Sequence, residues 1–415
     1  MSQWWDAGTF RARQMEGLRE VVNYAFLNVP FYRERYRAIG FDGELGDWGD
    51  FRCLPLLSKK AIKDGGLALL SGQYGREDLV EARTGGSTGT ALTVYFDKRC
   101  QALRNAAAIR SNLWAGWDIG MSVAAIWGNP PVANTIREKL RDILLGRTIY
   151  LDTMDINDQS VQRFVEKWRR VMPQVLFGHS HSIYILARYV RQLGVRNIRP
   201  KAIISTSMML LVPEREFIEQ TFQCRVTDRY GCEEVGLIAC ECEQHNGMHL
   251  NADHVVVEFL REDGSPAACG EEGNIVVTDL INRGMPLIRY RIEDVGVPSD
   301  RTCECGRGLP LMERVTGRQA DFLKRPDGSL VAGVSLVERT LTAIPGVEQM
   351  QLIQNELQRI LVKVVKGREF YQGTENALRQ ELQSVLGGSV AIQIQYVTNL
   401  DQTRAGKYRF AICNV

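Results

Sequence analysis

The sequence predicts an α/β protein. A large N-terminal part of layered α/β sheets leads into a β section, and a small α+β unit closes the chain. Three observations carry this. Between about 97 and 229, short apolar runs alternate with longer segments of helical periodicity, the pattern of parallel strands joined by helices. From about Met248 the helical segments stop. Runs such as Val255-Val256-Val257-Glu258-Phe259-Leu260 and Gly273-Asn274-Ile275-Val276-Val277-Thr278 then follow one another across turns such as Arg261-Glu262-Asp263-Gly264. Beyond Gly317, a stretch of about 100 residues returns to mixed strands and helix, a normal size for a small domain.

Taken in order, residues 11–38 read as helical, with Met15, Leu18, Val22, Ala25 and Phe26 on one stripe. Pro30 breaks the pattern and Phe31-Tyr32 resumes it. Residues 55–60 predict a loop in which Ser58 caps the next helix. Residues 79–82 and 91–96 predict two strands around Arg83-Thr84-Gly85-Gly86-Ser87-Thr88-Gly89-Thr90. A helix at 97–115 follows, then strands at 122–126, 147–151, 174–177, 202–205 and 225–229. Helices at 134–145, 159–171, 182–193 and 214–222 separate them. The β section adds strands at 255–260, 273–278, 286–291 and 292–297. The last unit predicts strands at 349–354, 359–365 and 390–397 and a helix at 374–386.

A length of 415 residues suggests two or three domains, and 45% hydrophobic residues allow a core of ordinary size. A formal net charge of +2 gives no basis for binding nucleic acid or an anionic membrane. The first ten residues carry Trp4-Trp5-Asp6 and no apolar segment, so no secretory signal is expected, and no apolar run is long enough to span a membrane. The expectation is a cytoplasmic protein whose ten cysteines are mostly reduced, their spacing speaking for metal rather than disulfides.

Five stretches could carry chemistry. The glycine loop at 84–90 offers backbone N–H groups and hydroxyls to an anion, a plain hairpin turn being the alternative. It is no Walker-type loop, since no lysine follows its last glycine. Tyr230-Gly231-Cys232-Glu233-Glu234 follows a buried strand where a parallel sheet would open. A ring there could stack on a base and a carboxylate could hold Mg²⁺. Asp294 closes a strand with a carboxylate able to take two ribose hydroxyls, and Arg314 and Arg318 suit a phosphate or ribose clamp, surface ion pairs being the alternative. Lys407 lies on Thr403-Arg404-Ala405-Gly406-Lys407, a loop able to reach another domain. Cys240, Cys242, His245 and His249 form one cluster and Cys303 and Cys305 another. Four ligands drawn from the two would make a closed, structural zinc site.

In this order the stretches resemble the adenylate-forming superfamily of acyl-CoA synthetases and adenylation domains, through nearly the whole chain. The resemblance is nearer to the phenylacetate–CoA ligase branch with its capsule-biosynthesis relatives. Cys242 to His249, continuing into Asn251-Ala252-Asp253, and Cys303-Glu304-Cys305-Gly306-Arg307-Gly308-Leu309-Pro310 look like that branch's zinc-bearing segments. The resemblance implies an ATP-dependent acid ligase that forms an acyl-adenylate with release of pyrophosphate, then transfers the acyl group to a thiol, usually that of CoA. It assigns Thr84, Gly85, Gly86, Ser87, Thr88 and Gly89 to the β- and γ-phosphates and Tyr230, beside Gly231, to stacking on adenine. Ser205 falls on the adenine-side loop, Glu234 to Mg²⁺ with Glu233 beside it, and Asp294 to the ribose with Arg314 and Arg318 near. Lys407 matches the lysine that bridges carboxylate and α-phosphate. The zinc ligands become Cys242, His249, Cys303 and Cys305, with His245 and Cys240 as alternates. The implied organisation is an adenylation core at 1–317, a hinge at 318–321 and a small mobile domain at 322–415 carrying Lys407.

The acid pocket is expected from Trp127, Gly128, Phe177, His179, Ser207 and Met208, suited to an aryl or other small acid, with core packing as the alternative for each. His181 could join His179 at a polar substituent, or both could lie on a surface loop. Three positions depart from the family pattern: Glu233 replaces a hydroxyl residue, Ala320 an aspartate at the hinge, and Ala91 a lysine after the loop. Three other readings stay open: transfer to an amine or carrier-protein thiol, a non-catalytic nucleotide-binding member of the fold, and a zinc-containing nucleic-acid module, for which the near-neutral charge offers no support. The expected partners are small molecules, with homodimerisation open.

Overall fold

In the computed structural model, the described residues are 2–83, 92–127, 148–153, 156–318, 322–367, 369–401 and 409–415. The chain opens on α1 (Ala7–Asn28), capped by the Asp6 side chain, which accepts the Thr9 N–H at 2.7 Å. The helical stretch expected over 11–38 with a break at Pro30 forms two helices. Pro30, which has no N–H to donate, takes the first turn of α2 (Pro30–Arg37), and Val29 between them is extended. Next come α3 (Trp48–Cys53) and α4 (Lys59–Gly65), the latter capped by Ser58. The strands β1 (Leu79–Arg83) and β2 (Thr93–Asp97) pair antiparallel, and Asp97 caps α5 (Lys98–Trp114).

The alternating section gives β3 (Val123–Trp127), β4 (Thr148–Asp152), α6 (Asp158–Val171) and β5 (Val175–His179). It continues with α7 (Ser180–Gln192), β6 (Ala202–Thr206) and α8 (Val212–Phe222). The helix expected at 134–145 lies outside the described residues. The β section is β7 (Val226–Cys232), β8 (Gly236–Glu241), β9 (Met248–Leu250), β10 (Val255–Leu260), β11 (Gly273–Asp279), β12 (Tyr290–Ser299) and β13 (Leu311–Arg318). The last stretch holds β14 (Phe322–Lys324), β15 (Leu330–Ala332), α9 (Gly333–Ala343), β16 (Val347–Glu356) and β17 (Arg359–Lys366). It ends with α10 (Gln372–Leu386), β18 (Ala391–Tyr396) and β19 (Ala411–Cys413).

Two compact units result, each assembled from two stretches of chain: residues 1–115 with 227–315, and residues 116–226 with 316–415. In the first, the strands run in the order β10-β11-β12-β13-β9-β8-β7. Its core joins Leu18, Tyr32, Tyr36 and Phe51 from the N-terminal helices to Ile275, Ile288 and Tyr290 of the β section. In the second, β6-β5-β3-β4 run parallel, as the strand–helix alternation predicts. The C-terminal stretch has its own four-stranded sheet, β18-β17-β16-β19, and a core of Val337, Met350, Leu352, Val362 and Leu382. Leu211, from the loop before α8, joins that core.

The strand expected at 286–291 is absent, and Tyr290 instead begins one continuous strand to Ser299. Arg289 has φ +49°, and the strand begins only after it. The backbone before it is tied elsewhere: Tyr32 donates its hydroxyl to the Pro286 carbonyl at 2.9 Å, and the Leu57 N–H donates to the Arg289 carbonyl at 2.9 Å. No helix among the described residues is long and apolar enough to cross a membrane.

Candidate active site and metal centre

The β7–β8 hairpin carries the first group of predicted residues. Its strands approach so closely at Gly231 that a Cβ there would lie 2.4 Å from the Gly236 carbonyl oxygen, so only glycine fits. The turn beyond holds Glu233 exposed and Glu234 buried, with Arg104 donating to the Glu233 carbonyl at 2.7 Å. The structure brings this hairpin to β12. The Tyr230 hydroxyl donates to Asp294 Oδ2 at 2.8 Å, and the Tyr290 hydroxyl donates to Glu234 Oε1 at 2.9 Å. Tyr290 is fully buried. That burial, with the Glu234 carboxylate beside it, holds its phenol protonated far above the usual range. Burial, then Glu234, likewise pushes the Cys232 thiol well up, so it is no thiolate nucleophile.

Two non-glycine residues at positive φ come directly before Tyr290 and Asp294: Arg289 at +49° and Glu293 at +74°. Side chains hold both in place. Arg289 forks onto Glu258 at 2.9 and 3.0 Å and donates to the Leu54 carbonyl at 2.6 Å and to that of Arg52. Lys59 donates to Glu293 at 2.8 Å. The register of β11 against β12 slips here, so Glu293 and Asp294 sit in a bulge that re-aims their side chains. Sequence reading marked Asp294 but gave no role to Tyr290, Arg289 or Lys59. A tyrosine and an arginine at a strand start carry no signal of their own.

In the second unit, the carboxyl ends of the parallel strands β3 and β5 gather aromatic rings. Trp127 stacks on Phe177 with centroids 5.5 Å apart and planes 13° off parallel, and the His179 ring lies 4.3 Å from Trp127. His179 and His181 are buried, not on a surface loop, and His181 pairs with Glu214. Ser205 is buried on β6, and Ser207 has φ +68°. The Met208 carbonyl accepts the Ser180 hydroxyl at 2.9 Å, while its side chain packs against the C-terminal core.

Back in the first unit, Cys242, His249, Cys303 and Cys305 converge, their ligand atoms all within 4.8 Å of one another. Cys242 Sγ and Cys303 Sγ are 3.6 Å apart, and Cys305 Sγ lies 3.3 Å from His249 Nε2. A tetrahedral zinc with sulfur at about 2.3 Å sets ligand atoms roughly 3.8 Å apart, so the donor set and its spacing fit that ion. His249 Nδ1 donates to the Leu309 carbonyl at 3.2 Å, leaving Nε2 to face the thiols. Burial lowers the pKa of His249, keeping it neutral. Burial raises the Cys242 thiol to about 12. For Cys305 burial acts the same way, but hydrogen bonds from Arg307 and its cysteine neighbours together outweigh it and lower the thiol. The backbone crowds in to form this centre: a Cβ on Gly308 would lie 1.8 Å from the Trp5 carbonyl oxygen. Cys240 and His245 stand outside the group. The Cys240 thiol meets the Glu241 carbonyl at 3.2 Å, and His245 pairs with the Glu241 side chain at 3.2 Å.

With this geometry in view, comparison with known proteins is informative. The CapK C-terminal domain family matches residues 323–414. Protein CapK of Staphylococcus aureus is 23% identical over 414 residues, spanning 97% of this chain and 89% of that protein. A phenylacetate–coenzyme A ligase of Thermus thermophilus is 27% identical over 357 residues, spanning 81% of this chain and 76% of its own length. The crystal structure of 2-hydroxyisobutyryl-CoA ligase with R3-HIB-AMP, in the postadenylation state, superposes with a TM-score of 0.81 at 18% identity, covering 100% of this chain and 91% of that one. The fold is that of the adenylate-forming ligases. The chain's sequence relatives include CapK and the phenylacetate–CoA ligases.

Of the residues that the resemblance to these ligases singles out, several fall outside the described ones: the phosphate loop Thr84, Gly85, Gly86, Ser87, Thr88 and Gly89, then Gly128, the hinge positions 319–321 and Lys407. Arg318 ends β13, its side chain outside the described residues. Arg314 is exposed and lies 3.6 Å from its neighbour Glu313.

Proposed function

We propose that this chain is an AMP-forming acid ligase. It activates a carboxylic acid with ATP to an acyl-adenylate, releases pyrophosphate, and passes the acyl group to the thiol of CoA. The observation that carries this reading is the meeting of Tyr230 with Asp294, an aromatic suited to adenine beside an acid suited to ribose, in a chain of this fold. In the first half-reaction a carboxylate oxygen attacks the α-phosphorus in line, and the bond to pyrophosphate breaks as the new one forms. Two anions must meet, so catalysis is positioning and charge neutralisation. Tyr230 stacks on the base and Asp294 accepts the ribose hydroxyls, and Ser205, Arg314 and Arg318 are the further nucleotide residues of this reading. The N–H groups and hydroxyls of 84–89 hold the β- and γ-phosphates, and Lys407 bridges carboxylate and α-phosphate. Glu234, with Glu233 beside it, supplies hard oxygen donors suited to Mg²⁺, which when bound neutralises phosphate charge.

The acid, an aryl or other small one, lies against Trp127, Gly128, Phe177 and His179, with Ser207 and Met208 nearby. Residues 318–321 serve as the hinge between a core at 1–317 and a domain at 322–415, whose rotation withdraws Lys407 for the second half-reaction. Cys242, His249, Cys303 and Cys305 hold a structural zinc, which when bound ties the β8–β9 segment to the turn at 303–305. The protein works on small molecules in the cytoplasm.

The test is carboxylate-dependent exchange of labelled pyrophosphate into ATP over a panel of aryl and short-chain acids. Exchange with one acid and its loss in Lys407→Ala, with MgATP still bound, is the expected result. Full exchange in that variant refutes the lysine's role, and silence across the panel with ATP bound argues for a non-catalytic protein.

A further inference from the structure

The two segments that meet at the nucleotide end of the first unit have the same layout. Each carries a tyrosine and, four residues on, an acid: Tyr230 with Glu234, and Tyr290 with Asp294. Each phenol donates to the acid of the other segment, at 2.8 and 2.9 Å. We infer that this is a reciprocal clasp, in which Tyr290 is a positioning residue for the Glu234 carboxylate and Tyr230 does the same for Asp294 through its hydroxyl. The inference rests on the reading above, in which Glu234 serves the metal on the phosphates and Asp294 the ribose.

The argument is geometric. A carboxylate can turn about its last torsion, and a cation site made from one gains from having that torsion fixed beforehand. Tyr290 can fix it, because its ring is fully buried in the core of the first unit and its hydroxyl therefore has one position. The bond engages Oε1 of Glu234, and the Cys232 thiol also hydrogen-bonds this carboxylate, so its orientation is set from two sides. The backbone under Tyr290 is set on one side by Arg289, locked onto Glu258, and on the other by Glu293, held by Lys59. At the other end, ribose hydroxyls arriving at Asp294 meet an acceptor that Tyr230 already uses. Nucleotide binding at Asp294 is therefore felt at the β7–β8 hairpin through this phenol.

The experiment is calorimetric ATP binding to the full chain without an acid, in EDTA and over a series of Mg²⁺ concentrations. In the unaltered protein Mg²⁺ should tighten ATP binding, and Glu234→Gln should abolish that gain. Tyr290→Phe keeps the ring. It should cut the Mg²⁺-dependent gain roughly tenfold, the usual effect of losing a partner behind a metal ligand, while ATP affinity in EDTA stays unchanged. Glu234→Gln combined with Tyr290→Phe should lose no more than Glu234→Gln alone. Tyr230→Phe should weaken ATP binding but not binding of 2′,3′-dideoxyATP, which lacks both hydroxyls for Asp294.

An unchanged Mg²⁺ gain in Tyr290→Phe, with Glu234→Gln losing it, overturns the positioning role. So does a parallel fall in both EDTA and Mg²⁺ accompanied by a lower melting temperature, since that is a packing effect. Equal losses for ATP and 2′,3′-dideoxyATP in Tyr230→Phe overturn the ribose half of the clasp. If Glu234→Gln keeps the full Mg²⁺ gain, or the unaltered chain binds no ATP, the underlying reading fails and takes the inference with it.

Discussion

Arg307 lies beside the Cys242, His249, Cys303 and Cys305 group, where it would serve the proposed metal without touching it. It lies between the rings of Trp4 and Trp114, 5.4 and 4.9 Å from their centroids, and donates to Glu243 at 2.8 and 2.9 Å. It also hydrogen-bonds Cys305, and its side chain is only 9% exposed. Three thiolates around a divalent cation leave one negative charge, and a guanidinium held this close offsets it. The chain should carry one equivalent of zinc by elemental analysis. Arg307→Gln should release it to a chelating dye at concentrations roughly tenfold lower than the unaltered protein requires. Equal retention would assign Arg307 to packing alone. The cluster was legible in the sequence because cysteine and histidine are scarce and were grouped. The choice of Cys242 over Cys240 was not legible from spacing, since it depends on which face of a strand each thiol takes. Tyr290 left no trace either, because a tyrosine in an apolar strand reads as core until its hydroxyl is seen on Glu234.

Elements are joined by ties of a different kind. Arg110 on α5 grips Asp253, in the turn before β10, through contacts of 2.6 and 3.0 Å, and also takes Asn251 at 2.6 Å. Burial works against the Asp253 charge, but the hydrogen bonds and charge of Arg110 outweigh it, and the pKa falls from 3.8 to about 2. A carboxylate depressed in the folded state stabilises it above the unfolded pKa and loses that contribution as pH falls through the folded one. The window is thus about pH 4 down to 2, and the contribution about 2 kcal/mol. Urea unfolding across that range should show this acid-side loss in the unaltered protein and a flatter profile in Asp253→Asn; identical slopes would refute it. At this scale the sequence was a good guide where periodicity is strong, as in the parallel strands and their helices. It failed where elements are short or bent. The three-residue strands β9, β14, β15 and β19 are too brief for alternation to register. The break at Arg289 is set by Glu258, Arg52 and Leu54, none of which is near it in sequence.

For the molecule as a whole, the C-terminal stretch is held to residues 116–226 by identifiable contacts. Leu211 is fully buried in the C-terminal core, Arg188 pairs with Glu348, and the Phe410 ring lies 5.1 Å from that of His181. The proposed rotation about 318–321 would break all three, so on that proposal they would set the balance between the arrangements needed for the two half-reactions. Burying one leucine is worth about 1.5–3 kcal/mol, enough to move that balance tenfold or more. Leu211→Ser should therefore speed hydrogen exchange in residues 333–343 and leave β10–β12 protected, and unchanged exchange would remove Leu211 from this role. The same contact also bears on how the chain is made. Met208, Met209 and Leu211 leave the ribosome well before the residues that cover them, because 227–315 belongs to the other unit. At roughly 5–20 residues per second, translation of the remaining chain leaves that apolar surface open on the nascent polypeptide for about 10–40 s, long enough for a chaperone to bind it.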